Sequence, residues 1–345
     1  AQNSKLREKA ERSAAKKQSQ LEADRRKAES DRHEAVARLT VVWREDILPR
    51  WSVMEHSTKV RKLVAQGIPT SLRGTVWPLL IGNRLGVTEA LYEQSKKEAF
   101  RIKQLSLDRE AALEADREKT RRLSSRVQTV NLIQWDIPRT FPTLSFFHNG
   151  GPLSQSLENV LMAYAAYRPD VGYVQGMSFL VAVLLLQMEE YSAFQCLVNL
   201  MKRRNQLDFY RLNLEAVTSF SEIFNHYFYK YLPLLYRHFN EQGMSHTMFL
   251  VDWNLTLFSK ALPLECAIRI WDSYLVEGEV FVMRAALGLL RLHAPKLSQM
   301  TMESIAPFLM RLPENTTAAD VFANIAEIRI SHSNYNSICE KYKFN

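Results

Sequence analysis

The amino-acid sequence predicts an all-α fold. Helical apolar patterns follow one another through residues 127–345, and no segment shows the sustained two-residue alternation that is typical of strands. Glycine is scarce, at 11 of 345 residues, which argues against a fold built on glycine-rich cofactor loops. Because hydrophobic residues make up 46% of the chain, it can bury a large core over most of its length.

The chain begins with a segment, residues 1–38, that is charged throughout and therefore unlike a signal peptide. It contains no glycine, proline or aromatic residue, and its 11 basic and 7 acidic residues are set among alanine and glutamine, which favour helix. Apolar positions are sparse, and no heptad repeat holds for three turns. We therefore expect a solvated helical or partly disordered extension, followed by a globular domain over residues 39–345.

Within the globular domain, residues 67–83 carry a helix signal. Gly67 punctuates the chain before the helix, apolar residues recur at helical spacing within it, and Gly82 ends it. Arg73 lies in the first turn, where the helix dipole disfavours a positive charge. Most arginines at such a position are simply solvated. The alternative is an arginine with a carboxylate partner, for which Asp136 is the candidate.

A second charged segment covers residues 95–126, with 10 basic and 6 acidic residues. Its composition favours helix, and it predicts a surface insertion between two core helices. The two charged segments account for the net charge of +8, while the rest of the chain is balanced. The sequence thus predicts no nucleic-acid-binding face. Both segments suit solvated helices, and a peripheral role at a membrane surface or on an acidic partner is the alternative.

The remainder of the chain predicts one helix after another. Apolar spacing places these helices at 153–168, 176–188, 193–202, 214–229, 232–240, 252–262, 264–275, 279–293, 302–312 and 317–330. The longest apolar run, residues 177–188, is shorter than the roughly 20 residues of a membrane span, so it predicts a buried helix. Cys196, Cys266 and Cys339 are widely spaced, which indicates buried thiols in a reducing, cytoplasmic compartment.

Residues 133–142 present an arginine just after a proline. Ile133, Asp136 and Arg139 are three residues apart, so on one helical turn Ile133 points inward while Asp136 and Arg139 share a side. Pro138 fixes the backbone before Arg139. Taken alone, this pattern also fits a surface ion pair worth about 0–1 kcal/mol.

A glutamine, Gln175, lies just before the predicted buried helix. Backbone N–H groups at a helix start favour an anion, and Gly172 and Gly176 allow close approach of a backbone or ligand. Asp170 or the turn at Gly172 is the expected helix cap. Tyr173 is expected to pack in the core with its hydroxyl reaching the interface. A capping or core-satisfying amide is the alternative for Gln175.

An arginine and a glutamine from separate segments suit phosphoryl transfer, because arginine neutralises charge on the phosphoryl group and glutamine aligns an attacking water. The chain has no Gly-x4-Gly-Lys-Ser/Thr sequence, so it is not expected to hold its own nucleotide in that way. It also has no His-Glu-x2-His or Cys-x2-Cys sequence, and its eight histidines are scattered. We therefore expect no metal site and no cofactor of its own.

These segments together resemble the TBC domain of Rab GTPase-activating proteins, over roughly residues 60–330. The motifs that carry the resemblance are Gly67-Ile-Pro with Leu72-Arg73-Gly74 and Trp77, Ile133-x2-Asp136-x2-Arg139-Thr140, Gly172-Tyr173-x-Gln175-Gly176-Met177, Trp253 with Phe258, and Arg269-Ile-Trp-Asp272. Their order and spacing both match the family.

The resemblance implies a two-lobed helical domain that activates GTP hydrolysis by its partner. Arg139 and Gln175 would be the catalytic residues, supplied together to a GTP-bound Rab that holds the GTP and magnesium itself. The residues that would support the site or contact the partner are Arg73, Asp136, Tyr173, Thr140 and Gly176. Asp136 would hold Arg139 or pair with Arg73.

Finer details point to a subgroup of the family. Phe141-Pro142 and Gly150-Gly151-Pro152 are similar to TBC proteins linked to recycling endosomes and autophagy. This implies a cytoplasmic protein that is peripheral on endosomal or other vesicle membranes. Some TBC proteins bind Rabs with little activating effect, so a Rab-binding effector or scaffold is the alternative function. The presence of both Arg139 and Gln175 favours activation.

Overall fold

The computed structural model describes residues 18–20, 23, 26–27, 30–110, 128–203 and 206–344. Within these ranges the regular elements are helices and none is a strand, so the predicted all-α class is confirmed. The chain divides into two compact units, Ala1–Leu72 and Arg73–Asn345. None of the helices described is both long and apolar enough to cross a membrane.

In the first unit, residues 30–42 form a helix, α1, that is exposed over residues 30–38. Most of the charged segment before it lies outside the described ranges. The helix passes into a π-helical turn at Trp43–Ile47, whose first and last side chains are fully buried. A 3-10 turn at Leu48–Arg50 follows, with a proline in its first turn. The buried surface of this unit thus begins where the charged composition ends.

Two short helices complete this unit, α2 (Trp51–Met54) and α3 (Thr58–Gln66). The Ser57 hydroxyl caps α3 by accepting a hydrogen bond from the Val60 N–H at 3.2 Å. The helix ends at Gly67, whose φ of 107° is a backbone conformation that glycine adopts without strain.

Helix α4 spans Thr70–Ile81 and stops before Gly82, as the sequence predicts. Gly74 allows α4 to pack closely against the backbone at Gln187, because a Cβ at position 74 would lie 2.4 Å from the Gln187 carbonyl oxygen. Trp77, one turn further on, is fully buried. The glycine and the tryptophan of this motif therefore both serve packing.

Helix α5 (Glu89–Glu110) packs against α7 (Ser154–Tyr167). The prediction of a surface insertion over residues 95–126 is wrong for its first part, since Ser95 and Ala99 are only 6% and 3% exposed. With Tyr92 they form a buried stripe at helical spacing, which a charge count over the whole segment does not register. The rest of the predicted insertion, beyond residue 110, lies outside the described ranges.

Helix α8 (Met177–Leu185) lies at the centre of the packing, in contact with α7 and α9 (Glu190–Leu200). Every position of α8 is buried except Phe179, which is partly exposed. The sequence predicts this burial because the segment is apolar on nearly all sides. The N-terminus of α8 is therefore fixed by core packing, and the residues just before it are attached to a buried helix.

The remaining helices largely follow the predicted order. They are α10 (Gln206–Tyr210), α11 (Leu214–Tyr231), α12 (Pro233–Glu241), α13 (Thr247–Leu255), α14 (Leu264–Glu277), α15 (Glu279–Leu297), α16 (Met302–Met310), α17 (Ala318–Ala326) and α18 (His332–Lys341). Helices α10 and α18 were not predicted. Both are short and carry mixed polar composition, so apolar spacing gives a weak signal for them.

The predicted helix over residues 252–262 is wrong in its second half, because α13 ends at Leu255. Leu257 and Phe258 have positive φ angles of 45° and 63°, which an α-helix excludes. Both side chains are fully buried. Their burial in the core stabilises a turn that local sequence does not favour.

The three cysteines are free and buried, as predicted. Burial raises the pKa of the Cys196 thiol to about 12 and that of Cys266 to about 11. These two thiols therefore stay protonated at neutral pH and pack as small apolar side chains.

Candidate functional site

The candidate arginine lies where a helix tightens into a 3-10 turn. Residues 128–136 form α6, and Ile137–Arg139 follow as the turn, with Pro138 near its start. Ile133 is fully buried while the Arg139 side chain is 62% exposed. The predicted division of this turn, with the isoleucine inward and the arginine outward, is therefore correct.

The Arg139 guanidinium is oriented by two contacts to the preceding turn. Its Nε donates to the carbonyl oxygen of Trp135 at 3.0 Å, and its Nη2 pairs with the Asp136 carboxylate. A guanidinium has five N–H groups, so three of them have no protein partner among the described residues. The side chain is thus directed by the protein and still able to bind an anion.

Asp136 links this arginine to a second segment. Its carboxylate is only 8% exposed, and its other oxygen accepts a hydrogen bond from the Tyr173 hydroxyl. Burial and the adjacent carboxylate raise the pKa of Tyr173 above its ordinary value, so the hydroxyl remains a donor. Tyr173 is buried, as predicted, and its hydroxyl is directed at Asp136.

A second link runs through Thr140, which is fully buried. Its hydroxyl donates to the Asp136 carbonyl oxygen at 2.8 Å and lies 2.7 Å from the hydroxyl of Ser178 in α8. The sequence did not single out Ser178. A serine in the first turn of an otherwise apolar helix was the available signal, because a buried hydroxyl needs a hydrogen-bond partner.

Gln175 is exposed and lies in the turn before α8. Gly176 follows as the N-cap residue of α8, with a φ of 97° and no side-chain cap. A Cβ at Gly176 would lie 3.2 Å from the Thr256 methyl group, so both the backbone angle and the space favour glycine. The glutamine is therefore presented to solvent and does not cap the helix.

Asp170 and the turn at Gly172 were the expected caps of α8, and this is wrong. The Asp170 carboxylate instead pairs with Arg168 at 2.8 Å and with Arg211. Hydrogen bonds from these two guanidinium groups hold the pKa of Asp170 well below its usual range. The capping role passes to Gly176, whose left-handed backbone starts the helix directly.

Two hydrogen-bonded links thus join the arginine segment (residues 133–142) to the glutamine segment (residues 170–178). Arg139 lies between the linked residues Asp136 and Thr140 of its segment. Gln175 lies between the linked residues Tyr173 and Ser178 of the other. Among the described residues, these are the only pairs that connect the two segments by side-chain hydrogen bonds. Both exposed side chains are consequently carried by segments that are hydrogen-bonded to each other, which we call the cross-braced segments.

Arg73 lies in neither of these two segments, and its predicted pairing with Asp136 is wrong. Arg73 is buried and forms a bidentate pair with Asp272, with Nε 3.1 Å from Oδ1 and Nη2 3.0 Å from Oδ2. The indole N–H of Trp77 donates to the same carboxylate at 2.8 Å. Asp272 is fully buried and comes from α14. This cluster joins α4 to α14 and supports the core.

A cleft of about 500 Å³ opens beside Arg139. Its walls are mainly apolar and include Phe141, Phe179 and Leu262, with Lys260 as a basic wall residue. Among the described residues, no group of three histidine, cysteine, aspartate or glutamate side chains is arranged to hold a metal ion. Arg139 itself lines the cleft, together with further charged residues that include Arg311 and Glu314.

The fold and this surface define a class of protein, an all-helical domain that presents an arginine and a glutamine from two cross-braced segments. The family model described as the Rab-GTPase-TBC domain matches residues 70–298 of the chain. The matched region contains all of the motif residues described above from Arg73 to Asp272. The chain belongs to the Rab-GTPase-TBC domain family.

Two curated relatives match most of the chain. TBC1 domain family member 12 of Xenopus tropicalis is 41% identical over 342 residues, which cover 95% of this chain and 49% of that protein. TBC1 domain family member 14 of Homo sapiens is 40% identical over 327 residues, covering 93% and 47%. The chain spans about half the length of these relatives.

A solved structure has the same fold. The TBC domain of a Chlamydomonas flagellar RabGAP matches with a TM-score of 0.68 and 23% sequence identity, over 88% of this chain and 94% of that one.

Proposed function

We propose that this chain activates GTP hydrolysis by a GTP-bound Rab-family GTPase, to which it supplies Arg139 and Gln175. The observation that carries the proposal is the pair of hydrogen-bonded links between the two segments that carry the exposed side chains. Membership of the Rab-GTPase-TBC domain family supports a Rab as the partner. The proposal places the chain in vesicle traffic, in the cytoplasm and peripheral on vesicle membranes.

The partner would hold the GTP and magnesium, and this chain would contribute two groups to the reaction. Arg139, with three N–H groups available, would neutralise the negative charge that develops on the transferring phosphoryl group. The Gln175 amide would accept from and donate to the attacking water, fixing its direction. By the general effect of arginine fingers, Arg139 should raise the hydrolysis rate on the order of 10³–10⁵-fold.

The links behind the two residues account for their orientation before binding. An arginine side chain has many rotamers, and ordering it during the reaction costs free energy. The contacts of Arg139 with Trp135 and Asp136 restrict those rotamers in the unbound protein. Tyr173 in turn fixes the Asp136 carboxylate. Pre-orientation of this kind favours the transition state because less reorganisation remains.

The test is single-turnover GTP hydrolysis by a panel of GTP-loaded Rabs, with the parent chain, Arg139→Ala and Gln175→Ala. A matched control is Arg101→Ala, since Arg101 is 64% exposed and pairs with a glutamate three residues earlier, much as Arg139 pairs with Asp136. We expect at least one Rab to respond, each site variant to lose most of the acceleration, and the control to keep it.

The contrary outcome is equally clear. If Rabs bind in their GTP form and none is accelerated, the chain is a Rab-binding effector or scaffold. Acceleration that survives Arg139→Ala and Gln175→Ala would refute the assigned residues while leaving the activity standing.

A further inference from the structure

The helix that leads to the candidate arginine leaves two large apolar side chains in solvent. On α6, Leu132 is 41% exposed and Trp135 is 65% exposed. They are three residues apart, so they lie side by side on one helix face. All six tryptophans fall within the described ranges, and Trp135 is the only one of them that is exposed. An exposed tryptophan beside a leucine is an unusual surface feature.

Trp135 is joined directly to the candidate arginine. Its carbonyl oxygen accepts the hydrogen bond from Arg139 Nε at 3.0 Å. Trp135 and Arg139 therefore lie at the two ends of one turn, and both side chains extend from it into solvent. Asp136, the next residue, pairs with the same guanidinium and is buried.

We propose that Trp135, with Leu132, forms an apolar contact that binds the GTPase. This inference rests on the function proposed above, and it commits to the GTP-bound GTPase as the occupant of this face. The partner's complementary surface should be an apolar patch next to its nucleotide, because Arg139 has to reach the phosphates while the indole is covered. Tryptophan and arginine are the residue types most enriched among strong contributors to interfaces.

The proposal separates binding from chemistry. The indole makes no hydrogen bond to Arg139, whose contact is with the backbone carbonyl, so removing the indole leaves both contacts of the guanidinium in place. Trp135→Ala should then weaken the complex without changing the reaction inside it. We expect the concentration for half-maximal acceleration to rise at least about tenfold, with the saturated rate within about threefold of the parent.

The experiment compares four chains on the responding Rab: the parent, Trp135→Ala, Trp135→Phe and Tyr229→Ala. Tyr229 is the matched control, an aromatic residue that is also 65% exposed, near the far end of α11. Concentration dependence of single-turnover hydrolysis gives the half-maximal concentration and the saturated rate. Binding to the same Rab loaded with a non-hydrolysable GTP analogue gives the affinity separately. The phenylalanine variant should recover part of the loss, and Tyr229→Ala should match the parent.

The outcomes distinguish this inference from the function it rests on. If the parent accelerates a Rab and Trp135→Ala has the same half-maximal concentration, the inference is refuted and the function stands. If Trp135→Ala lowers the melting temperature by several degrees, the indole packs on its own chain, which also refutes the inference. If no Rab is accelerated, the function fails. In that case weaker analogue binding by Trp135→Ala still supports the docking role, and unchanged or absent binding refutes it.

Discussion

Substitution of Asp272 by asparagine tests the buried cluster that joins α4 to α14. The carboxylate is fully buried and accepts hydrogen bonds from Arg73 and from Trp77. Arg269 brings a second guanidinium to 3.7 Å from the same carboxylate. Asparagine keeps the shape of the side chain but removes its negative charge and turns one acceptor into a donor that faces Arg73.

The magnitude follows from burial. The Arg73 side chain is 8% exposed, so without Asp272 its charge stays in the interior with a second cation nearby. Breaking a buried pair by removing one partner costs about 3–5 kcal/mol. Native proteins are stable by only roughly 5–15 kcal/mol, so this loss takes a large share of the free energy of unfolding. We expect a correspondingly large shift in the denaturation midpoint.

The assay is urea denaturation followed by tryptophan fluorescence, because Trp77 stacks on Trp271 beside the cluster with ring centroids 5.4 Å apart. The matched control is Asp170→Asn, another carboxylate between two arginines, whose side chain is 45% exposed. Exposed ion pairs contribute about 0–1 kcal/mol, so the control should unfold nearly as the parent does. Equal losses in the two variants would refute the reasoning that burial sets the cost.

Two further predictions concern the cross-braced segments. Tyr173→Phe removes the buried donor to Asp136 and should cost about 1.5–3 kcal/mol of stability. It should also lower the saturated GTP hydrolysis rate roughly tenfold, because Arg139 would be less firmly oriented. Urea denaturation measures the first effect and single-turnover kinetics the second. A variant equal to the parent in both would contradict the linking role of Tyr173. Gly176 has a φ of 97°, and a Cβ there would lie 3.2 Å from the Thr256 methyl group, whereas Gly243 has a φ of 66° and open space around it. Gly176→Ala should therefore lower the free energy of unfolding of the protein more than Gly243→Ala does. Equal midpoints for these two alanines would show that the close contact at Gly176 carries no cost.

The sequence identified the two exposed residues of the candidate site because short-range sequence patterns determine their positions. Three-residue spacing placed Ile133 inward and Arg139 outward, and Pro138 fixed the turn between them. Gln175 and Gly176 stood at the start of a segment that is apolar on nearly all sides. Local geometry decides such features, since a helical turn or a positive φ depends on a few neighbouring residues.

Other contacts were decided only by the tertiary structure. Arg73 pairs with Asp272, which is 199 positions away, and Asp136 pairs across 37 positions with Tyr173. The sequence analysis named Asp136 as the partner of Arg73, because a pattern of charges does not record which helix faces meet. The same limit explains the buried stripe of α5.

The sequence by itself thus determined the helical class, the order of the main helices and the two residues presented to solvent, since periodicity and glycine or proline placement are local. The tertiary structure alone decided how those two residues are held, which arginine each aspartate serves and where Leu257 and Phe258 turn the chain. These depend on the packing of elements far apart in the sequence, where burial makes an unpaired charge or hydroxyl costly and so selects one set of partners.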